Sequence, residues 1–378
     1  MNIKQIYDFV NTATQEAIGE SAIVAEDLSN IVDVGTAIFN ANAMDKYVKA
    51  LVNRIGKVIF VNRKYEGSAP SVLMDGWQYG SVLQKISQNQ LPEATENETW
   101  GLVDGQSYDP HVFHAPKGVE AKFYNKYITF EIDMSFTEDQ LKMSFTNVTE
   151  LNGFISMLYT NVENSMTVKL DELIRRTINN MIGTTIKTAS PSRAINLLTL
   201  FKAAYPNSTV TAATAMNDPD FIRYAAYIIK LTYGRMRNMS TVFNEGGQPR
   251  FTPKDLAHIV MLDDFASAAD VFLQSETFHN ELTALPQAET VSYWQGSGTS
   301  YAFADVSKIN VKTVKGDTVE QSGIVGVMFD RWALGVASPE RKTTSQWTPN
   351  AEFFTNFYKY KAGYFNDYNE NFVVFYIA

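Results

Sequence analysis

The chain has 378 residues, of which 45% are hydrophobic and 19% charged, a balance that excludes a disordered protein and supplies core for two or three domains. Its net charge of −9 argues against a dedicated nucleic-acid binder, whose phosphate contacts need clustered Lys and Arg. It contains no Cys, which excludes disulfides, thiolate metal sites and a cysteine nucleophile. No run approaches the roughly 18 apolar residues of a membrane span, and residues 1–20 carry Asp8 and Glu16 without the apolar stretch of a secretory signal. Aromatic residues make up 13%, with 24 Phe and 19 Tyr, which suits broad buried contacts within or between subunits.

In chain order, Ile3, Ile6, Tyr7, Val10 and Ile18 predict a short amphipathic helix. Residues 46–64 then hold Lys46, Lys49, Arg54, Lys57, Arg63 and Lys64 with no acid, and 57–61 reads as a strand. The plainest account of that basic run is a solvated face. Residues 66–110 differ. Gly67, Gly76, Gly80, Gly101 and Gly105 with Pro70, Pro92 and Pro110 break any long element. Seven acids (Glu66, Asp75, Glu93, Glu96, Glu98, Asp104, Asp109) face one base, Lys85, yet Val72, Leu73, Trp77, Tyr79, Val82, Leu83, Ile86 and Trp100 are too apolar for a free linker. This predicts an extended, partly paired arm whose apolar side something else covers.

Ile128, Phe130, Ile132 and Met134 alternate with Thr129, Glu131 and Asp133, a half-buried strand that 121–127 should extend. Thr137 with Gln140 resembles a capping box. The longest predicted element follows. From Asn147, with Glu150 three residues on, to Gly183, apolar residues from Leu151 to Met181 recur three or four apart. No proline interrupts them, and Gly183 has the character of a residue just past a helix end. Such a helix reaches roughly 54 Å, more than most domains are wide. A coiled coil would need a strict heptad, which Ser165 and Thr167 interrupt. The economical reading is a spine laid against a sheet.

Beyond it, 192–205 reads as a helix with Ile195, Leu198 and Phe201 on one side, and Asp218-Pro219 caps another through Leu231, with Gly234 weakening its end. Residues 258–262 form a buried strand and 265–282 a helix; 291–294, 309–314, 323–336, 353–364 and 372–377 read as strands. The class is α+β, with an α/β portion in the middle.

Catalytic signatures are missing: no phosphate-binding glycine loop, dinucleotide fingerprint, zinc-protease or nucleophile-elbow motif occurs. His111 and His114, on an expected strand, would point to opposite faces, a poor metal pair. His258 has the setting of a core histidine. Asp263 and Asp264 pose as paired carboxylates for acid–base work, but at a strand-to-helix junction Asp is already expected as a cap.

Taken together, an arm, an extended loop, a long strand, a spine helix, an α/β domain and a returning β segment resemble the major head (major capsid) protein of tailed bacteriophages, with its Hong Kong 97-like fold. Local runs add to this. IVDVGTAI (31–38) followed by LVNRIG (51–56) resembles the N-terminal region of phi29-type podophage head proteins, and HIVMLDDF (258–265) their central strand and turn. MFDRWALG (328–335), FYKYK (357–361) and YFNDYNENF (364–372) are similar to the closing part of many phage head proteins. The resemblance implies an N-terminal arm (1–56), an extended loop (57–120), a peripheral domain of long strand and spine (121–187), an axial α/β domain (188–285), and strands returning to both (286–378). It departs from relatives with a fused coiled scaffold or an immunoglobulin-like extension. The family's Lys–Asn crosslink motif has no match here.

The implied function is structural, not enzymatic. The subunit is expected to self-assemble, as pentamers and hexamers, into an icosahedral virion head around double-stranded DNA read without sequence recognition. Assembly would take place in the host bacterial cytoplasm with separate scaffold and portal proteins, without cofactor or membrane. A cellular nanocompartment shell of the same fold is the alternative; an α/β enzyme using Asp263 and Asp264 ranks below both. Candidate inter-subunit contacts are the apolar Leu73, Trp77, Leu83 and Ile86 and the acidic Glu93, Glu96 and Glu98. These would meet a neighbour's Arg54, Lys57, Arg63 and Lys64, or its spine bases Arg175 and Arg176.

Overall fold

The computed structural model describes residues 3–19, 33–34, 37, 43, 46–47, 70–74, 82–92, 103–107, 111, 113, 115, 118–137, 148–188, 190–274, 288–296, 305–313, 316–337 and 339–378. The expectations for 57–61, for the capping residues Gln140 and Asn147, and for a helix beyond 274 lie outside these residues. The chain divides into two units: Met1–Gly67, Tyr127–Glu172 and Ser338–Gly363 form the first, and Ser68–Lys126, Leu173–Ala337 and Tyr364–Ala378 the second.

Helix α1 (Ile3–Ile18) opens the first unit; Ala13 and Thr14 on it are fully buried. The sheet of this unit is antiparallel, with β13 (Phe353–Asn366) between β4 (Tyr127–Thr137) and β12 (Glu340–Thr348). Alternation sorts its faces. Asn356, Tyr358, Tyr360 and Ala362 are buried, whereas Thr129, Glu131 and Asp133 stay exposed. Phe130 stacks on Tyr360 with ring centroids 5.3 Å apart, the pair expected of directly opposed strand residues. Burial pushes the Tyr358 hydroxyl up to about 12 and raises Tyr360 further. Burial also raises Glu163, against the opposing charge of Arg341.

Helix α2 (Val148–Thr188) is the predicted spine, 41 residues long, or roughly 61 Å. Leu170, Leu173, Ile174, Ile178, Met181 and Ile182 are buried along it. It runs through Gly183 instead of stopping there. A Cβ at Gly183 would lie 2.5 Å from Val311 Cγ2, so this glycine permits close approach of β8 (Ile309–Lys312). Thr177 and Thr184 donate their hydroxyls to the carbonyls of Leu173 and Asn180 at 2.8 and 2.9 Å, which satisfies both inside the helix.

The second unit is built on a five-stranded sheet in the order β5 (Ala194–Asn196), β14 (Phe372–Tyr376), β10 (Ile324–Asp330), β6 (Ala257–Leu262) and β7 (Glu289–Val291). Helices α3 (Leu197–Ala204), α4 (Pro219–Met236) and α5 (Asp263–Gln274) bury Leu198, Phe201, Phe221, Ile222, Ile229 and Phe265 in one core with Val325, Met328, Val373 and Phe375 of the sheet. The other part of α2 is tied in by Asn179 Nδ2, which donates to the Trp294 carbonyl at 2.7 Å. Asn366 Nδ2 donates to the Thr177 carbonyl at 2.8 Å. A smaller group of strands joins β1 (Leu73–Met74), parallel, to β11 (Leu334–Ala337), which pairs with the end of β13. A hairpin of β8 with β9 (Thr318–Gln321) completes the unit.

Three predicted elements are divided. Residues 194–196 pair as a parallel strand with Val374, Phe375 and Tyr376, and only then does α3 begin, Asn196 Oδ1 accepting the Thr199 N–H at 3.1 Å. Asn196 is thus an N-cap, not a helix-interior residue. The strand expected over 323–336 breaks at Arg331, Trp332 and Ala333, where Asp330 accepts the Trp332 N–H at 2.9 Å. The long strand expected from 121 breaks at Asn125 and Lys126: Val119–Tyr124 is a separate strand, β3. It turns away to pair with β2 (Leu83–Gln88).

Candidate functional site

The pair β2–β3 is the stem of the predicted extended arm. Gly118 sits at its distal end in a left-handed conformation (φ 72°), its carbonyl accepting the Asn89 N–H at 2.7 Å. A Cβ there would come 2.8 Å from the Gln90 nitrogen, so only glycine lets the strands close before the chain leaves again. One face of the stem carries Leu83, Lys85, Ser87, Glu120, Lys122 and Tyr124, all half-buried; the other carries Gln84, Ile86, Gln88, Val119, Ala121 and Phe123, all exposed.

The half-buried face is fixed to the turn between β13 and β14. Lys85 Nζ donates to Asp367 Oδ2 and to Glu370 Oε1, both at 2.7 Å, and to the Trp332 carbonyl at 3.2 Å. Lys122 Nζ takes the other Asp367 oxygen at 2.8 Å. Arg250 reaches the stem from a loop after α4, donating to the Gln88 carbonyl at 3.0 Å and to Asn89 Oδ1 at 2.6 Å. Its Nε lies 3.4 Å from Glu370 Oε2, and Asn89 in turn donates to Glu120. The Asp367 side chain is 2% exposed. Burial alone would raise its carboxyl, but the two ammonium groups and the Asn369 N–H hold it below the usual aspartate range. Burial raises the Tyr124 hydroxyl strongly, and the Asp367 charge beside it adds to the effect. Lys85 and Lys122 of the stem and Asp367 and Glu370 of the β13–β14 turn thus neutralise one another at a largely buried junction, with Arg250 bridging the two sides.

The sequence-predicted contact residues fall in different places. Ile86 is 65% exposed on the open face of the stem. Leu83 is half-buried on the anchored face and Leu73 half-buried in β1. Arg175 is turned inward, 5% exposed, with its guanidinium 4.0 Å from the centre of the Tyr293 ring; Arg176 is exposed. Trp77, Glu93, Glu96, Glu98, Arg54, Lys57, Arg63 and Lys64 lie outside the described residues. The anchor residues Lys122, Arg250, Asp367 and Glu370 were not picked out from sequence, since their partners are up to 285 positions away.

The carboxylates considered for catalysis start α5. Asp263 accepts the Ser292 hydroxyl at 2.7 Å, and Asp264 shares the first turn, the place where acids complement the helix dipole. His258 stacks on Phe329 at 5.7 Å, with its pKa lowered by burial. Among the described residues no group of three or more His, Asp and Glu is arranged to hold a metal ion, and no helix is long and apolar enough to cross a membrane.

The phi29-like phage major capsid protein family model matches residues 9–376. The chain belongs to this family. As a phage major capsid protein it is a structural subunit of the phage head, not an enzyme, and its place is the virion. A chain from the structure of the head fiber and inner core protein gp22 of native bacteriophage P68 is similar over 81% of this capsid protein and 83% of its own length, at 11% identity and a TM-score of 0.53. A chain from the capsid structure of Staphylococcus phage Andhra is also 11% identical, covering 84% and 87% of the two chains with a TM-score of 0.48. No curated protein matches the sequence. The fold is the Hong Kong 97-like α+β capsid fold.

Proposed function

We propose that this capsid protein closes into an icosahedral head around double-stranded DNA by laying the open face of its β2–β3 stem on a neighbouring subunit. One observation supports the reading. Ile86, Val119 and Phe123 are 65%, 61% and 64% exposed on one side of a stem whose other side is anchored to its own subunit. Val82 continues the patch at 49%. A two-stranded ribbon that exposes Ile, Val and Phe side chains together on one face is a poor free surface in water and a natural interface. Covering Ile86 and Phe123 is worth about 1.5–3 kcal/mol each, and repetition around a closed shell multiplies that gain.

In the same reading residues 1–56 are the N-terminal arm, 57–120 the extended loop, 121–187 the peripheral domain, 188–285 the axial domain and 286–378 the strands that return to both. Pentamers and hexamers form the shell, scaffold and portal proteins direct its closure in the host cytoplasm, and the acidic subunit surrounds DNA without reading its sequence. Family membership supports each of these points.

The open face supplies the test. Ile86→Glu with Phe123→Glu changes only exposed side chains, so circular dichroism and thermal unfolding should match the parent. Light scattering under conditions where the parent forms large particles should show at least a tenfold loss of assembly. Wild-type assembly by the folded double variant would refute this role for the stem.

A further inference from the structure

The groove between the end of α3 and the start of α4 has a volume of about 920 Å³ and opens to solvent. Its floor is Phe201, buried in the core of the second unit. Tyrosines stand on that floor. Phe201 meets Tyr205 at 4.9 Å and Tyr224 at 5.6 Å, and Tyr224 meets Tyr227 at 6.1 Å between ring centroids. Tyr224 and Tyr227, three positions apart, share one face of α4. Each of these contacts is tilted or edge-on, so none of the rings lies flat over another. Tyr205 and Tyr227 stay 54% and 57% exposed. The loop that leaves α3 adds Asn207, Ser208 and Thr209 to the lining, an amide and two hydroxyls. Local bonds set its shape: the Tyr205 N–H donates to the Phe201 carbonyl at 2.8 Å and the Ser208 N–H to the Tyr205 carbonyl at 3.0 Å. The Val210 N–H donates to Ser208 Oγ at 3.3 Å. A wall formed before any ligand arrives lowers the ordering cost of binding.

The charges at the groove select the ligand. Asp218 is engaged as the cap of α4, accepting the Phe221 N–H at 2.8 Å. Asp220 is exposed and pairs with Arg223 at 3.3 Å. An anion would meet both carboxylates, and a cation would meet the Arg223 guanidinium. What fits is a neutral molecule with a flat apolar face for a tyrosine and hydroxyls along its rim. We propose that this groove binds a neutral saccharide. The C–H face of one sugar ring lies on Tyr227 or Tyr205, and neighbouring hydroxyls donate to Asp220 and accept from Arg223, bonds strengthened by the charge of the pair. Aromatic walls with a few convergent polar groups are the usual make-up of a small-ligand site. A single ring on so open a surface should bind with a dissociation constant on the order of 1 mM. Many copies of the groove on one particle would raise the grip on a polysaccharide by about 100-fold or more. That last step rests on the assembly reading above; the site itself does not.

The test does not need a shell. Biotinylated full-length subunit, gathered on streptavidin to overcome weak single-site affinity, is applied to an array of neutral and anionic bacterial oligosaccharides. The strongest neutral oligosaccharide is then titrated against the free subunit and its variants by calorimetry. Tyr227→Ala should weaken binding about tenfold, whereas Tyr227→Phe, which keeps the ring, should stay close to the parent. Tyr205→Ala should act like Tyr227→Ala, and the exposed Tyr227 keeps the test valid where Tyr205→Ala disturbs Phe201. Circular dichroism should show all variants folded. Silence of every neutral oligosaccharide on the array, preference for the anionic ones, or binding unchanged by both alanine variants overturns the proposal. So does a proline-rich decapeptide or tetramethylammonium that binds the groove more tightly than the sugar. If the free subunit binds sugar as expected but never forms particles, the assembly reading fails and the saccharide site stands. If particles form and the subunit binds no sugar, the site fails and the assembly reading stands.

Discussion

Leu170→Asp should leave the protein unfolded or insoluble. Leu170 is 1% exposed on α2, with Ile174 and Ile178 buried at the following turns. An aspartate there either ionises without a partner or takes up a proton at a high cost, several kcal/mol in both cases. Total stability of a domain is only about 5–15 kcal/mol. Leu170→Ala, which removes apolar atoms without adding charge, should cost about 2–5 kcal/mol and lower the unfolding temperature while leaving a folded protein. Thermal unfolding followed by circular dichroism separates the two. An aspartate variant melting within a few degrees of the parent would show that this stripe is not buried.

Asp367→Ala should release the stem without unfolding the body. The substitution removes the carboxylate that pairs with both Lys85 and Lys122, leaving Glu370 paired with Lys85. Removing one partner of a buried charge group typically costs about 3–5 kcal/mol. Hydrogen exchange reads this locally. Amides of β2 and β3 should exchange about 150- to 5,000-fold faster, while those of β10 and β14, deep in the second unit's sheet, keep their protection. Equal protection of the stem in parent and variant would mean that the charged junction does not hold it.

The same junction predicts an acid response whose sign follows from Asp367. Its folded-state pKa is depressed by the two lysines, so its contribution is complete above the ordinary aspartate value of 3.8 and is lost as pH falls through the lower folded value. Stem protection in the parent should therefore collapse only in strongly acidic solution, whereas Asp367→Asn should lack that step. Asp330, raised by burial, acts in the opposite sense: its contribution is present below 3.8 and lost as pH rises through the raised value. Asp330→Asn in the background of both proteins isolates the Asp367 step.

Much of the fold was legible wherever one period ran long enough. The α2 stripe and the alternation in β4 are of this kind, and both elements follow where their apolar residues recur. The divided elements were less so, because local pattern competed with distant pairing. Ile195 fits a helical stripe equally well, and only β14, some 180 residues later, makes it a strand residue. β12 was missed because its inward positions, Arg341, Thr343, Ser345 and Trp347, are mostly polar; its strand character comes from lying against β13. Gly183 illustrates an ambiguity of residue type, since a glycine that ends a helix and one that admits a neighbouring strand look alike in sequence.

The candidate surface was legible in outline. The tension between apolar content and turn residues in 66–110 pointed to a covered arm, and Ile86 is exposed on the stem. Its anchor was not visible, because Lys85 meets Asp367 and Glu370 only after the chain has returned from β13. Arg175 was misleading for a related reason: spacing marks a charged residue as outward, but an aromatic ring at 4.0 Å can hold a guanidinium inside.

Electron cryomicroscopy of the particles formed when the chain is expressed with its neighbouring genes would show whether the open face of the β2–β3 stem joins adjacent subunits of a shell. Closed icosahedral heads in which Ile86, Val119 and Phe123 are buried against an adjacent subunit are the expected result. Particles that leave this face open to solvent, or a chain that stays monomeric across salt, concentration and candidate scaffold partners, would contradict it.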